Sequence, residues 1–377
     1  MRSSQQPAVA AVPFIDLGRT HAPLVDDILG DLGALLESGA FVNGPAVVDF
    51  EAAFAHFCGI RACVGMASGL DALRIALLAL ELAPGDEVIV PAETFVATLE
   101  AVTQAGANPV VVDVSSDDLC VDPVAVEAVV TGRTRAVLPV HLYGQMADVR
   151  ALSALAVRKG IDVVEDACQA HGASRDGISA GTAGRAAAFS FYPAKNLGAI
   201  GDAGALVTSD PELEATARAL REHGQQQKYE HEHEGYTARL DTIHALVLLR
   251  KLPLLEDWNS QRRRAANLYA EGLEGVGDLV LPPVPAGSEP VWHLFVVRTR
   301  RPDDLAAHLQ ASGIETGRHY PAPVHLTPAY ADLGYQAGSF PVAEDLARTC
   351  LSLPVFPGIT DAEVEAVVEA IGVFFRG

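Results

Sequence analysis

Positive charge is in short supply: 27 Lys and Arg stand against 48 Asp and Glu in 377 residues, a formal charge of −21. Such a surface repels phosphate backbones and anionic bilayers at long range, so nucleic acid and membrane are not expected partners, and any phosphorylated ligand must be held by local donors. Cysteine is scarce as well. Cys58, Cys63, Cys120, Cys168 and Cys350 are odd in number, lie in apolar contexts and show no paired C-x-x-C spacing. That pattern gives neither a disulfide framework nor a zinc site and fits a reducing cytoplasm. No uninterrupted run of about 18 apolar residues occurs, because Arg74, Glu81 and Asp86 break the most hydrophobic stretch. A membrane span is therefore not expected. The segment Met1–Ile15 has only a short apolar run, broken by Pro7 and Pro13 with Arg2 its one basic residue, and reads as an arm rather than a targeting signal. What is present is a globular composition, 49% hydrophobic and 20% charged, which excludes disorder and collagen-like structure.

From Ser68 onward, short β-branched runs (Val88–Val90, Val110–Val112, Val137–Val140, Val163–Val164, Leu206–Val207) alternate with amphipathic helical periods. This is the pattern of an α/β fold with a mostly parallel sheet covered by helices. Asp122-Pro123 and Asp210-Pro211 place an N-cap acid before a proline at the first helical position, while Gly106, Gly160 and Gly224 stand where helices should stop. After Lys251 the texture changes to a basic helix with Arg262, Arg263 and Arg264, then a proline-rich connector through Pro282, Pro283, Pro285 and Pro290. The expectation is a large domain over 1–255, arm included, and a smaller C-terminal α/β domain over 256–377. The latter should run strand (Val291–Thr299), helix (Asp303–Ala311), helix (Val342–Thr349), strand (Leu351–Val355) and a last helix from Thr360.

Three segments carry chemistry. Lys195 lies between the apolar run ending at Phe191 and a glycine-rich turn through Gly198 to Gly204. Desolvation there lowers an amine's pKa and suits it to attack an aldehyde or ketone, although a surface lysine after a strand has the same local sequence. Asp166 ends the apolar stretch Ile161–Asp166, at the carboxyl edge where open α/β sheets bind ligands. A buried carboxylate there needs a cation, for which a protonated pyridine nitrogen serves; an N-cap or a structural ion pair is the alternative. Ser68-Gly69-Leu70-Asp71 opens a helix with a capping-box spacing, and its open N–H groups and dipole make an anion site that Ser190 can complete. Plain capping reads the same.

Together these segments closely resemble the sugar aminotransferases that use pyridoxal phosphate (PLP), within the fold-type I aminotransferase superfamily. The resemblance runs from Val12–Leu17 to the last helix, and Pro91–Thr98, Pro139–Gln145, Glu165–Gly172 and Phe189–Asp202 carry it. It implies a large PLP-binding domain and a small C-terminal one. It implies that Lys195 holds the cofactor as a Schiff base, Asp166 partners the pyridine nitrogen, Gln169 donates to the ring hydroxyl, Phe95 stacks on the ring, and Ser190 with the Gly69 and Leu70 backbone cradles the phosphate. Phe95 as a core aromatic and Gln169 as a polar helix-start residue are the plainer readings. Three positions depart from the family pattern: Leu70 replaces a usual threonine, Thr237 an asparagine and His244 a glutamine. In relatives that asparagine reaches the phosphate of the neighbouring subunit, so two phosphate donors are lost unless Thr237 substitutes.

On the substrate side the resemblance implicates Lys228, Tyr229, Arg239, His319, Tyr320 and His325, with the basic residues screening a nucleotide diphosphate. His231 and His233 alternate with acids and read as an exposed loop, so no metal is expected. The implied activity is cytoplasmic transfer of nitrogen from glutamate or glutamine to a nucleotide-linked keto-deoxysugar, most like C3 amination of a dTDP-3-keto-6-deoxyhexose. C4 amination, a cyclitol substrate and a catalytically silent PLP fold are the alternatives. A PLP-dependent dehydratase is disfavoured, because Lys195 stands where that group has histidine. A homodimer with shared active sites is implied, the Tyr229–Arg239 segment crossing between subunits.

Overall fold

The computed structural model describes residues 11–377. Short hydrophobic runs form strands β1 Ala62–Met66, β2 Glu87–Pro91, β3 Asn108–Val112, β4 Thr134–Val137 and β5 Asp162–Asp166. The hairpin β6 Ser174–Arg175 and β7 Ile178–Ser179 follows, then β8 Ala186–Ser190 and β9 Gly204–Thr208. The central sheet has seven strands in the order β1-β9-β8-β5-β4-β2-β3. Only β9 runs against the rest, antiparallel to both β8 and β1. Strand β1, which starts the sheet before Ser68, escaped the β-branched pattern because Ala62, Cys63 and Gly65 dilute it to one valine. The parallel strands are buried on both faces, as expected where helices cover each side.

Helices begin and end where the chain's punctuation directs. Asp122 and Asp210 accept backbone N–H bonds ahead of Pro123 and Pro211, and Gly160 closes the helix Val149–Lys159 in the left-handed conformation. Ser68 caps the helix Gly69–Leu78 by accepting from Asp71 N at 3.0 Å. The reciprocal half of the box is absent, because the Asp71 carboxylate turns to Arg74.

Beyond β9 come a hairpin, β10 Gln225–Gln227 and β11 Glu230–His231, and the short strand β12 Ser288–Glu289 beside β6. Strands β13 Phe295–Arg298 and β14 Cys350–Leu353 pair antiparallel in the C-terminal unit. Both are shorter than the sequence pattern implied. Trp292 adopts φ 46° ahead of β13, and Pro354 lacks the N–H to continue β14. The helix Leu255–Leu273 serves two cores, giving Leu255 to the sheet's core and Ala265, Tyr269 and Leu273 to that of the C-terminal unit. Val12 and Ile15 also pack on the second core, and Val12 bridges to Ile314, so the described end of the arm, residues 11–15, contacts the C-terminal unit.

Candidate functional site

A cavity of about 640 Å³ opens at the carboxyl edge of the sheet. It lies where the segments after β1, β2, β5 and β8 converge, as ligand sites in open parallel sheets do.

Lys195 enters it from a tight turn. Lys195 N donates to Tyr192 O at 2.8 Å and Ala199 N to Phe191 O at 2.7 Å. A Cβ on Gly198 would fall 2.2 Å from Pro193 O, so this turn admits only glycine there. Asn196 anchors it by donating to Asn259 Oδ1 at 2.9 Å and Val291 O at 2.8 Å. Lys195 Nζ lies 3.4 Å from His293 Nε2. Burial pushes the amine's pKa below the ordinary lysine value and holds the imidazole's well below its own. A neutral imidazole therefore accepts a hydrogen bond from the amine.

Asp166 forms part of the cavity wall and is 6% exposed. Its Oδ2 accepts from the Thr98 hydroxyl at 2.9 Å and its Oδ1 from Cys168 N at 3.2 Å. Among the described residues no cation pairs with it. The neighbouring Glu165 points to the opposite face, as strand alternation requires, where it accepts from Gly181, Ala183 and Gly184 N at 2.8–3.0 Å and meets His141 Nε2 at 2.9 Å. Of these two adjacent acids, Asp166 is the one that lines the cavity.

The first turn of the helix Gly69–Leu78 forms another wall. A Cβ on Gly69 would lie 2.7 Å from Cys168 Sγ and 2.8 Å from Ser190 Cβ, so glycine is what lets three segments meet. Ser190 Oγ accepts from Tyr192 N at 3.3 Å, which leaves its proton free to donate. Leu70 also lines the cavity and, having no side-chain hydroxyl, can offer an anion only its backbone N–H. Gln169 accepts from Tyr143 N at 2.7 Å and donates to Tyr320 OH at 3.2 Å, with a second amide hydrogen still available. Phe95 is 52% exposed at the cavity, its ring 5.7 Å from that of Tyr320, and is thus a surface platform rather than a core aromatic.

The residues suit pyridoxal phosphate. An uncompensated buried carboxylate awaits a cationic ring nitrogen, a desolvated amine awaits a carbonyl, a helix N-terminus with a free hydroxyl awaits an anion, and an exposed ring awaits a planar partner.

His319 and Tyr320 line the same cavity. His319 Nδ1 meets Ser352 Oγ at 2.8 Å, its ring stacks on Phe14, and burial lowers its pKa to about 4. It is neutral at pH 7, which corrects its assignment as a positive screen. His325 does not reach the cavity. It is 2% exposed, bonded to Glu344 Oε1 at 3.1 Å and packed edge-on against Phe340. Lys228 and Tyr229 sit exposed at the β10–β11 turn, Thr237 Oγ1 lies 3.3 Å from His223 Nε2, and Arg239 donates to Glu222 at 2.7 Å. None of these four lines the cavity of its own subunit.

Sequence reasoning missed His293, Thr98, Tyr143 and Glu93. Tyr143 OH donates to His319 O at 2.5 Å, and buried Glu93 accepts from Tyr320 N at 3.2 Å. These contacts join residues over 170 positions apart, so no local spacing reveals them. Thr98, four residues after Thr94 at a helix start, carried a weak local signal.

Residues 24–372 match the model of the DegT/DnrJ/EryC1/StrS aminotransferase family. The dTDP-3-amino-3,4,6-trideoxy-alpha-D-glucose transaminase of Streptomyces venezuelae is 48% identical over 96% of this chain and 95% of its own length. A crystal structure of S. venezuelae DesV in complex with a ketimine intermediate superposes with a TM-score of 0.96 at 47% identity, covering 98% of this chain and all of that one. NtdA from Bacillus subtilis with bound cofactor PMP superposes with a TM-score of 0.90 at 32% identity, over the whole of this chain and 87% of its own. With a family match across nearly its whole length and a relative this similar, the chain belongs to the DegT/DnrJ/EryC1/StrS aminotransferase family.

Proposed function

We propose that this protein transfers an amino group from glutamate or glutamine to the C3 ketone of a dTDP-3-keto-6-deoxyhexose, with pyridoxal phosphate held in the cavity. The observation that carries the reading is Lys195 and the unpaired Asp166 lining one cavity beside a helix N-terminus, in a chain 48% identical to a dTDP-amino-sugar transaminase. When bound, the cofactor supplies a carbon that carries the nitrogen and a ring that accepts electrons from it.

The Gly69 and Leu70 N–H groups and the Ser190 hydroxyl hold its phosphate. Phe95 covers its face, Gln169 donates to its ring hydroxyl, and Asp166 keeps a proton on its ring nitrogen. Lys195 holds the cofactor covalently through Nζ. As a free amine, Nζ would serve as the general base and acid that carries a proton from and to the reacting carbons, for the donor and then for the sugar. Burial lowers this amine's pKa, and His293 Nε2 holds it by accepting its hydrogen bond. Tyr320, with His319 as a neutral hydrogen-bonding ring, faces the sugar.

Lys228, Tyr229, Thr237 and Arg239 belong to the neighbouring subunit's site in a homodimer: the first three are exposed here, and Arg239 is part-buried against Glu222. Free thiols at all five cysteines are in keeping with a cytoplasmic enzyme. The test is amination of a panel of dTDP- and UDP-linked 3-keto and 4-keto sugars and an inosose, read by product mass and NMR. Exclusive turnover of a 4-keto sugar or of the inosose defeats the C3 assignment.

A further inference from the structure

Behind the Lys195 turn lies a second lysine that the reaction does not use. Lys251 ends the helix Thr242–Lys251 and is 2% exposed. Its Nζ donates to Gly198 O at 2.6 Å and lies 2.9 Å from His21 Nε2. His21 Nδ1 is 2.6 Å from Leu17 O. A carbonyl only accepts, so Nδ1 carries the ring proton and Nε2 presents its lone pair to Lys251. Among the described residues no carboxylate pairs with Lys251. Burying an ammonium without a counter-charge costs several kcal/mol, whereas a methionine would fill the same length with no such cost. Packing alone therefore does not account for lysine here.

Its two acceptors share a geometric meaning. Gly198 O belongs to the glycine-restricted turn that presents Lys195, and Asn259 braces the same turn from the helix Leu255–Leu273 by accepting from Asn196. His21 ends the short helix Leu17–His21 that prolongs the arm, and the arm's Phe14 and Ile15 line the front of the cofactor cavity. A small void lined by Ile15, Asp16, Lys195 and Lys251 separates the two and is about the size of one water. The arm thus reaches the catalytic lysine from in front through Ile15 and from behind through His21.

We propose that Lys251 is a positioning residue for Lys195: by clamping the Gly198 carbonyl to His21 it fixes the turn that aims the Lys195 amine and ties that aim to the N-terminal arm. This rests on the reading that Lys195 holds the cofactor. Displacement of a reacting group by about 1 Å costs on the order of a hundredfold in rate, so a loosened turn should slow chemistry while leaving substrate binding intact.

The test uses the full-length holoprotein and the variants K251M, H21L and H21Q. K251M removes both hydrogen bonds at similar length, H21L removes the acceptor on the arm, and H21Q restores one. Readouts are visible circular dichroism of the bound cofactor, which reports its orientation, and kcat and KM for the nucleotide sugar, with melting temperature as control. K251M should bind cofactor with an altered visible band and lose about tenfold or more in kcat with KM unchanged; H21L should shift the same way and H21Q return toward wild type. A K251M protein with the wild-type band and kcat overturns the proposal. Should K251M not fold, H21L decides, and wild-type values there overturn the clamp. Borohydride fixation of the wild-type cofactor anywhere but Lys195 instead defeats the underlying reading, whatever the variants do.

Discussion

Asp166 takes its hydrogen bonds from neutral donors, the Thr98 hydroxyl and the Cys168 N–H, so its negative charge remains available to a ring cation. Asp166→Asn keeps the shape and removes the charge. Cofactor should still bind, and turnover should fall by at least about a hundredfold, equivalent to roughly 3 kcal/mol in the barrier. Near-normal rates of both half-reactions would remove Asp166 from the role. Thr98→Val deletes one donor to the same carboxylate, an interaction of about 1.5–3 kcal/mol, and a loss near tenfold in turnover with little change in melting temperature is expected. Glu93 titrates differently. Burial pushes its carboxyl up to about 8, opposed by the Tyr320 N–H bond. The folded state then binds this proton more tightly than the unfolded chain, so its contribution to stability is full at acid pH and declines as pH rises through about 5 to 8. Denaturation curves should show wild type losing stability relative to Glu93→Gln across that window; parallel pH profiles for the two would show that Glu93 does not titrate there. Lys195 and Asp166 stood out in the sequence because Asp166 ends an apolar run and Lys195 follows one closely, ahead of a glycine-rich turn. Gln169 and Phe95 needed the family resemblance, and His293 needed the fold, since its partner Lys195 is 98 residues away.

Secondary-structure elements were legible wherever a short-range rule governs them. Asp-Pro pairs opened helices and Gly160 closed one, because capping is settled within four residues. Thr360 and Glu363 form a full capping box at the last helix. Strand ends were less legible, since Trp292 and Pro354 stop β13 and β14 where tertiary packing demands. Loops between elements were opaque: in the 181–184 segment three backbone N–H groups are satisfied by Glu165, a contact across 16 to 19 residues. This separates two adjacent acids by role. Glu165→Ala strips the acceptor from three backbone N–H groups and the imidazole of His141 and should destabilise the protein by at least about 3 kcal/mol. The folded fraction should keep the cofactor's absorbance, because Glu165 points away from the cavity. A changed cofactor spectrum at unchanged stability would reverse the assignment of the two acids.

At the scale of the whole molecule, a chain of formal charge −21 would remain a monomer by repulsion unless some apolar surface is covered. That surface exists. Leu29 and Leu36 on the helix Val25–Ser38, then Phe41, Val42 and Val48, are 50–65% exposed, large apolar side chains that an interface between subunits would cover. The neighbouring Asn43 bonds Glu222, which holds Arg239, so this face is continuous with the segment proposed to serve the other subunit's site. In the proposed two-fold homodimer each patch would meet its copy and each Arg239 would turn toward the opposite cavity. Lys195→Ala and Arg239→Ala should each be inactive alone. In a mixed dimer one site inherits Lys195 from one subunit and Arg239 from the other and is whole, while the second site lacks both. Random exchange of equal amounts makes half the dimers mixed, with one working site each, so about a quarter of wild-type activity should return. If Arg239 serves its own subunit, no combination restores a site, and activity stays at baseline after exchange is verified by mass. An active Arg239→Ala homodimer would instead remove this arginine from the site and leave the crossing to Lys228 and Tyr229.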